Sequence, residues 1–348
     1  MNNRFLLKSQ SQHGFTLVEL IISMVLGLIL IGGVYSVFTE NARTSQLVQA
    51  TSRVQENGRF ALSYLMSEMR MVGYMGCLSG LDVEGPDFVN TLRPLVDPAA
   101  DYFYDLKKGQ LEVIEKIGTS HNVIPWHAND PVPTENTDIV VIRGLSTGDV
   151  TIDGAPPSKY AANFKVKGAD TGIYEGDIVF LSDCQRGAVF QVTKANPNPG
   201  ADRTVIVHNE RVGGPASTGP GNEDKELYND EPFSVGATIQ KFTVTTYFVA
   251  PAKDIENNVL SLWRKDGSAE AFELVYGIED LEIWLGEDTS GDGVPDRIVR
   301  PVNLVDAGMG DVVTVDIRVT ANSIDPVEGS DPLKRDFFAS VKLRNRGI

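Results

Sequence analysis

The chain has 348 residues, 42% hydrophobic and 22% charged, and 47 acidic residues against 31 basic ones give a net charge of −16. That composition excludes a chain disordered throughout and allows one large folded unit or two modest ones. The acidic excess argues against nucleic acid as a main partner, and favours cation binding wherever carboxylates converge.

The first 14 residues are polar, with Arg4 and Lys8 and no acid. An apolar run then extends from Phe15 to Phe38 with Glu19 as its single charge. At about 1.5 Å per residue such a helix measures roughly 36 Å, enough to cross a bilayer core with some tilt. The basic leader keeps this end cytoplasmic. A secretory signal peptide would be shorter and would end at a small-residue cleavage site, which does not follow here. A plain signal anchor fits the length but gives no reason for Gly14-Phe15 or for Glu19. Carboxylates are costly in hydrocarbon, so Glu19 is a functional residue by default.

The stretch Gly14-Phe15-Thr16-Leu17-Val18-Glu19-Leu20-Ile21 resembles the type III signal of type IV pilins and pseudopilins. The resemblance implies cleavage by prepilin peptidase between Gly14 and Phe15, with N-methylation of Phe15. It also implies a role for Glu19 in assembly. A new amine on Phe15 would lie about one helical turn away, and Glu19 of one subunit could meet the amine of its neighbour in a stack of staggered helices.

Helical patterning continues past Phe38. From Thr39 to Val72 there is no proline, and Leu47, Val54, Ala61, Leu62, Leu65, Met66, Met69 and Val72 recur mostly three, four or seven apart. This predicts an amphipathic helix continuous with the membrane run, ending near residues 73–77. Within it, Val54-Gln55-Glu56-Asn57-Gly58-Arg59-Phe60-Ala61-Leu62 and Met69 to Cys77 are similar to the PilW family of minor pilins. Three later patches match that family too: Gly176 to Cys184, Leu274 to Leu281, and Gly291 to Asp296.

Beyond Cys77 glycine, proline and aspartate recur between short β-rich runs. Asp138–Arg143, Ile178–Ser182, Thr204–His208, Phe242–Val249, Val312–Thr320 and Phe337–Arg344 read as strands, the last two alternating apolar and polar. Asn196–Gly200 and Gly213–Asn222 read as loops, and 82–135 as an irregular insertion. Trp126, Trp263 and Trp284 are expected in the core. The fold class is therefore α+β and type IV pilin-like: a leader (1–14), a long helix (15–76, transmembrane over 15–38) and an antiparallel β-rich periplasmic head (77–348).

Two further sites are candidates. Cys77 and Cys184 both follow the membrane run, so the topology predicts an oxidising space where they can pair; two separate buried thiols are the alternative. Closing a loop of roughly 100 residues would stabilise the fold by about 4–5 kcal/mol on the chain-entropy model. The segment from Asp288 to Asp296 has the spacing of a calcium loop. Asp288, Ser290 and Asp292 take positions 1, 3 and 5, Val294 offers its carbonyl, and Asp296 takes position 9. Position 12 is Val299, so the bidentate glutamate is missing, and a hairpin turn held by Asx hydrogen bonds is the competing reading.

Catalytic signals are poor. No metal-protease, redox, nucleophile-elbow or phosphate-loop motif occurs, so no enzyme is expected. The resemblance implies a minor pilin at or near the tip of a type IV pilus. Its implied partners are other minor pilins, the major pilin, a tip adhesin, prepilin peptidase and the inner-membrane assembly platform. A minor pseudopilin of a type II secretion system is the runner-up, and a membrane-anchored periplasmic binding protein the third reading.

Overall fold

The computed structural model describes residues 16–74, 76, 85–93, 110–115, 124–146, 148–210, 220–253, 259–301, 311–323 and 332–343. One helix, α1 (Leu17–Met71), runs for 55 residues without a proline. It ends where Val72 turns extended (φ −55°, ψ 132°) and Gly73 takes φ 82°, a conformation that glycine adopts without steric cost.

The two halves of α1 differ in what covers them. Leu17, Leu20, Met24, Leu28, Ile31 and Phe38 are all exposed. In the second half Val54, Gly58, Ala61, Leu65 and Met69, spaced three or four apart, form one buried stripe. Leu47, expected on that stripe, is 39% exposed because it lies about two turns before the head begins to cover the helix.

Strands follow among the described residues: β1 (Phe88–Asn90), β2 (Leu111–Ile114), β3 (Ile139–Leu145), β4 (Val150–Thr151), β5 (Asn163–Lys167), β6 (Ile178–Ser182), β7 (Gly187–Gln191), β8 (Lys194–Asn198), β9 (Arg203–Val207), β10 (Thr238–Pro251), β11 (Leu260–Asp266), β12 (Phe272–Tyr276), β13 (Ile278–Glu287), β14 (Arg297–Val299), β15 (Val312–Asn322) and β16 (Lys334–Lys342). They form three sheets. The largest follows β1-β7-β6-β10-β11-β12, with β3 and β4 also on β10 and β2 on β3. The others are β5-β9-β8 and β14-β13-β15-β16. Pairing is antiparallel except between β1 and β7.

The four-stranded sheet carries the helix. Its rows Leu281–Val319–Phe337, Ile283–Ile317–Ala339 and Leu285–Val315–Val341 form one apolar face, and that face packs on the α1 stripe. Period-two alternation in β15 and β16 thus meets helical spacing in α1. On the opposite face Arg300 and Arg318 lie 5.1 and 5.5 Å from the Trp284 ring centre. Trp284 is only partly buried, unlike Trp263, which is a core residue as expected.

One chain segment joins two sheets, since β12 passes through Gly277 (φ 75°) directly into β13. Asp138 reinforces the junction. It is wholly buried, accepts the Ile283 N–H at 2.8 Å, and pairs with Arg300 at 3.1 Å.

The expected loop at Asn196–Gly200 is corrected: Lys194–Asn198 is the edge strand β8, and only Pro199–Ala201 turns. Pro197 is tolerated there because an edge strand leaves one side of its backbone without ladder partners. The expected loop at Gly213–Asn222 lies mostly outside the described residues, as does much of 82–135.

Candidate functional site

At the start of α1, Thr16 is extended (φ −78°, ψ 150°) and caps the helix. Its Oγ1 accepts the Glu19 N–H at 3.3 Å. In return the Glu19 Oε2 accepts the Thr16 N–H at 3.3 Å and the Thr16 hydroxyl at 3.2 Å. This reciprocal capping box satisfies two orphan donors of the first turn and gives the carboxylate two partners within its own chain. Thr16 is a functional residue beyond those expected from the sequence, and its signal is the capping-box pattern Thr-x-x-Glu before an apolar run. Gly14 and Phe15 lie outside the described residues.

Further along α1, two of the sequence patches singled out above, Val54 to Leu62 and Leu274 to Leu281, come together. Asn57 Nδ2 donates to the Tyr276 carbonyl at 3.0 Å. A Cβ on Gly277 would stand 3.0 Å from the Asn322 carbonyl oxygen and 3.7 Å from Asn57 Nδ2. Gly58 is more crowded still, with a would-be Cβ 2.1 Å from Phe337 Cε2. Asn57 and Gly58 therefore hold the helix where the chain crosses from β12 to β13.

Cys184 occupies the turn between β6 and β7 with φ 70°, its N–H donating to Ser182 Oγ at 3.0 Å. The neighbouring Asp183 accepts the N–H groups of Arg186 and Ser234. No cysteine is free among the described residues. Cys77 lies outside them.

The loop from Asp288 to Asp296 joins β13 to β14. Asp288 Oδ1 accepts the N–H of Gly291 at 2.6 Å, of Ser290 at 3.1 Å and of Asp292 at 3.3 Å, and Oδ2 accepts that of Gly293 at 2.6 Å. Asp296 Oδ2 accepts the Thr289 and Ser290 N–H groups and the Thr289 hydroxyl. Asp292 accepts the Val294 N–H at 2.8 Å. Burial raises the Asp288 carboxyl, but the amides of Gly293 and Gly291 and the Ser290 hydroxyl outweigh it and hold it below its usual range. The Thr289 hydroxyl and amide do the same for Asp296. Among the described residues no three acidic, histidine or cysteine side chains converge as a metal-ligand set. Gly286 of β13 leaves room for Thr314 of β15 and for Pro295 of the loop, whose Cβ atoms a Cβ there would approach to 3.3 and 3.0 Å, and Lys342 Nζ of β16 donates to the Gly293 carbonyl at 2.9 Å.

Of these places, the helix start has the most specific sequence signature. Residues 9–35 match the prokaryotic N-terminal methylation motif. The chain carries a type IV pilin-like signal. That match spans the leader and the exposed half of α1, stopping short of the head. No curated protein and no solved structure gave a match.

Among the described residues α1 is the one helix long and apolar enough to cross a membrane, and none of its apolar window is buried. A pilin-like signal, an uncovered apolar half-helix and a strand-rich head docked on the other half thus occur in one chain.

Proposed function

We propose that this chain is a PilW-type minor pilin, a structural rather than catalytic subunit at or near the tip of a type IV pilus. It helps prime assembly and present a tip adhesin. Prepilin peptidase cuts between Gly14 and Phe15, Phe15 is methylated, and the exposed half of α1 is held in the inner membrane with the head periplasmic. The assembly platform then moves the helix into the fibre core among major and other minor pilins. The observation that carries this reading is the continuity of α1, bare and apolar to Phe38 and docked from Val54, under the methylation motif.

The capping box supports a role for Thr16 in storage and release. A carboxylate in hydrocarbon needs partners, and Thr16 supplies them before a neighbour arrives. In the fibre the Phe15 amine of the adjacent subunit takes over. Glu19→Ala therefore leaves the chain processed and membrane-inserted but poorly incorporated; wild-type recovery of that variant in sheared pili contradicts the pairing. Recovery in a secretion pseudopilus and not in pili would favour the type II pseudopilin instead.

Two smaller proposals accompany this reading. Cys77 and Cys184 form a disulfide that ties the end of α1 to the β6–β7 turn, and unchanged mobility of Cys77→Ser on a non-reducing gel would remove it. Calcium occupies the loop from Asp288 to Asp296, with Asp288, Ser290, Asp292, the Val294 carbonyl and Asp296 as its ligands. That second proposal rests on the sequence spacing and requires the carboxylates to exchange some amide donors for the ion.

A further inference from the structure

Four cations share one face of the three-stranded sheet. The register across β5, β9 and β8 turns Lys165, Lys167, Lys194 and Arg203 outward around Val205 and Val207, and asparagines fill the other three outward positions. None of these nine positions holds a carboxylate. Arg203 meets Asp153, beside β5, at 4.0 Å, the far limit of an ion pair. Lys165, Lys167 and Lys194 are exposed and have no carboxylate partner among the described residues. Cations on other strands are matched, since Arg143, Lys241, Lys265, Arg297 and Arg318 each meet an acid of this chain. With 47 acidic residues against 31 basic ones, an unmatched basic face runs against the field of the whole protein.

The position of the sheet is a second, independent observation. Along β10, Phe242, Val244, Phe248 and Ala250 point to one side, and Ile239, Tyr247 and Val249 to the other. Tyr247 and Val249 pack with the buried stripe of α1, whereas Ile239 packs with Phe164, Val166 and Ile206 of β5 and β9. The end of α1 and the three-stranded sheet therefore lie side by side on one face of the largest sheet. The basic face looks away from that sheet on the side of the helix. A helix that enters a fibre core brings this side of the head against neighbouring subunits.

We propose that the basic face of β5, β9 and β8 docks a carboxylate-rich patch on the head of a neighbouring, different subunit. The inference rests on the reading of the chain as a minor subunit of a fibre, which surrounds it with other proteins. Val205 and Val207, half-buried, give the contact an apolar centre inside a charged rim. Nucleic acid fits less well. A single strand stacks its bases on aromatic rings, and none of the nine positions carries one. A long polyanion also runs on past the face across a chain of net charge −16, whereas a compact acidic patch does not. Charge complementarity of this kind sets partner choice and register more than raw affinity.

The test is Lys165→Glu with Lys194→Glu in the full-length chain, expressed in its own cells and recovered from sheared fibres. The expected result is a fall of at least about fivefold in fibre content, the equivalent of roughly 1 kcal/mol. Lys165→Arg with Lys194→Arg keeps wild-type content. A photo-crosslinker at Val205 joins an aspartate- or glutamate-bearing peptide of a different subunit, and changing that acid to lysine restores the double glutamate variant. Should the double variant fold poorly, Lys167→Glu, exposed on the same face, makes the charge test alone. Wild-type fibre content in a stably folded glutamate variant overturns the docking face and leaves the functional reading intact. A crosslink to a second copy of this chain or to nucleic acid does the same. A wild-type chain that never enters fibres overturns both.

Discussion

Gly58 and Phe337 are in contact so close that a Cβ on Gly58 would lie 2.1 Å from the ring. Glycine in mid-helix costs roughly 1 kcal/mol relative to alanine, so its presence calls for a packing reason. Here the ring of an edge strand rests on the bare helix backbone. Gly58→Ala should therefore destabilise the protein by about 1 kcal/mol net, because overpacking of about 1–3 kcal/mol outweighs the helix gain. Urea melts of the detergent-solubilised chain check this, and Phe337→Leu should recover part of the loss. A more stable Gly58→Ala protein would contradict the contact.

Lys265 and Asp130 form a fully buried pair at 2.8 Å, and Asp130 also accepts the Ala271 and His127 N–H groups. The pair ties the segment before β3 to the β11–β12 turn. Removing one partner strands a buried charge, so Asp130→Ala should cost about 3–5 kcal/mol in thermal or urea unfolding. Replacing both residues with methionine and leucine should cost less than Asp130→Ala alone. Equal losses would mean that the ion pair is not what holds the segment.

His208 is buried between Phe164 and Phe190, with ring centres 5.7 and 5.1 Å away, and neither ring nitrogen has a hydrogen-bond partner among the described residues. Burial lowers its pKa from 6.5 to about 4. The unfolded chain then binds a proton that the folded chain refuses. Stability is complete above pH 6.5 and falls as pH drops towards 4, by at most about 3 kcal/mol. In His208→Phe that slope should vanish between pH 6.5 and 4. A slope of the same size in the variant would assign it to other groups.

The aspartate loop separates two sources of order. Asp288 accepts four backbone N–H groups, so Asp288→Ala should lower the melting temperature with or without calcium. If the ion binds, wild type should melt higher in calcium than in chelator, and Asp292→Ala should lose that difference. Equal wild-type melting in both conditions removes the ion and leaves the hydrogen-bonded turn.

Much of this architecture could be read along the chain. The bounds of β6 (Ile178–Ser182) coincide with its β-rich run, and the apolar residues that alternate in β15 and β16 are those that face the helix. Those strands are bounded by turn residues and buried on a defined side, so local pattern and tertiary environment agree. β8 does not read as a strand because Pro197 within it and Pro199-Gly200 just after it signal a turn, whereas edge position relaxes the need for backbone donors. The meeting of Asn57 with Tyr276 was out of reach as well, since 219 residues separate them and only the fold brings them together. At the helix start the Thr-x-x-Glu spacing of Thr16 and Glu19 is the legible sign of the hydroxyl that satisfies the carboxylate.

The account depends above all on the fate of the first residues. Mass spectrometry of the chain from sheared pili should find an N-terminal peptide that starts at N-methylated Phe15 and continues through Thr16 to Glu19. A mature chain that still begins at Met1, or whose Phe15 is never exposed as a terminus, would contradict it.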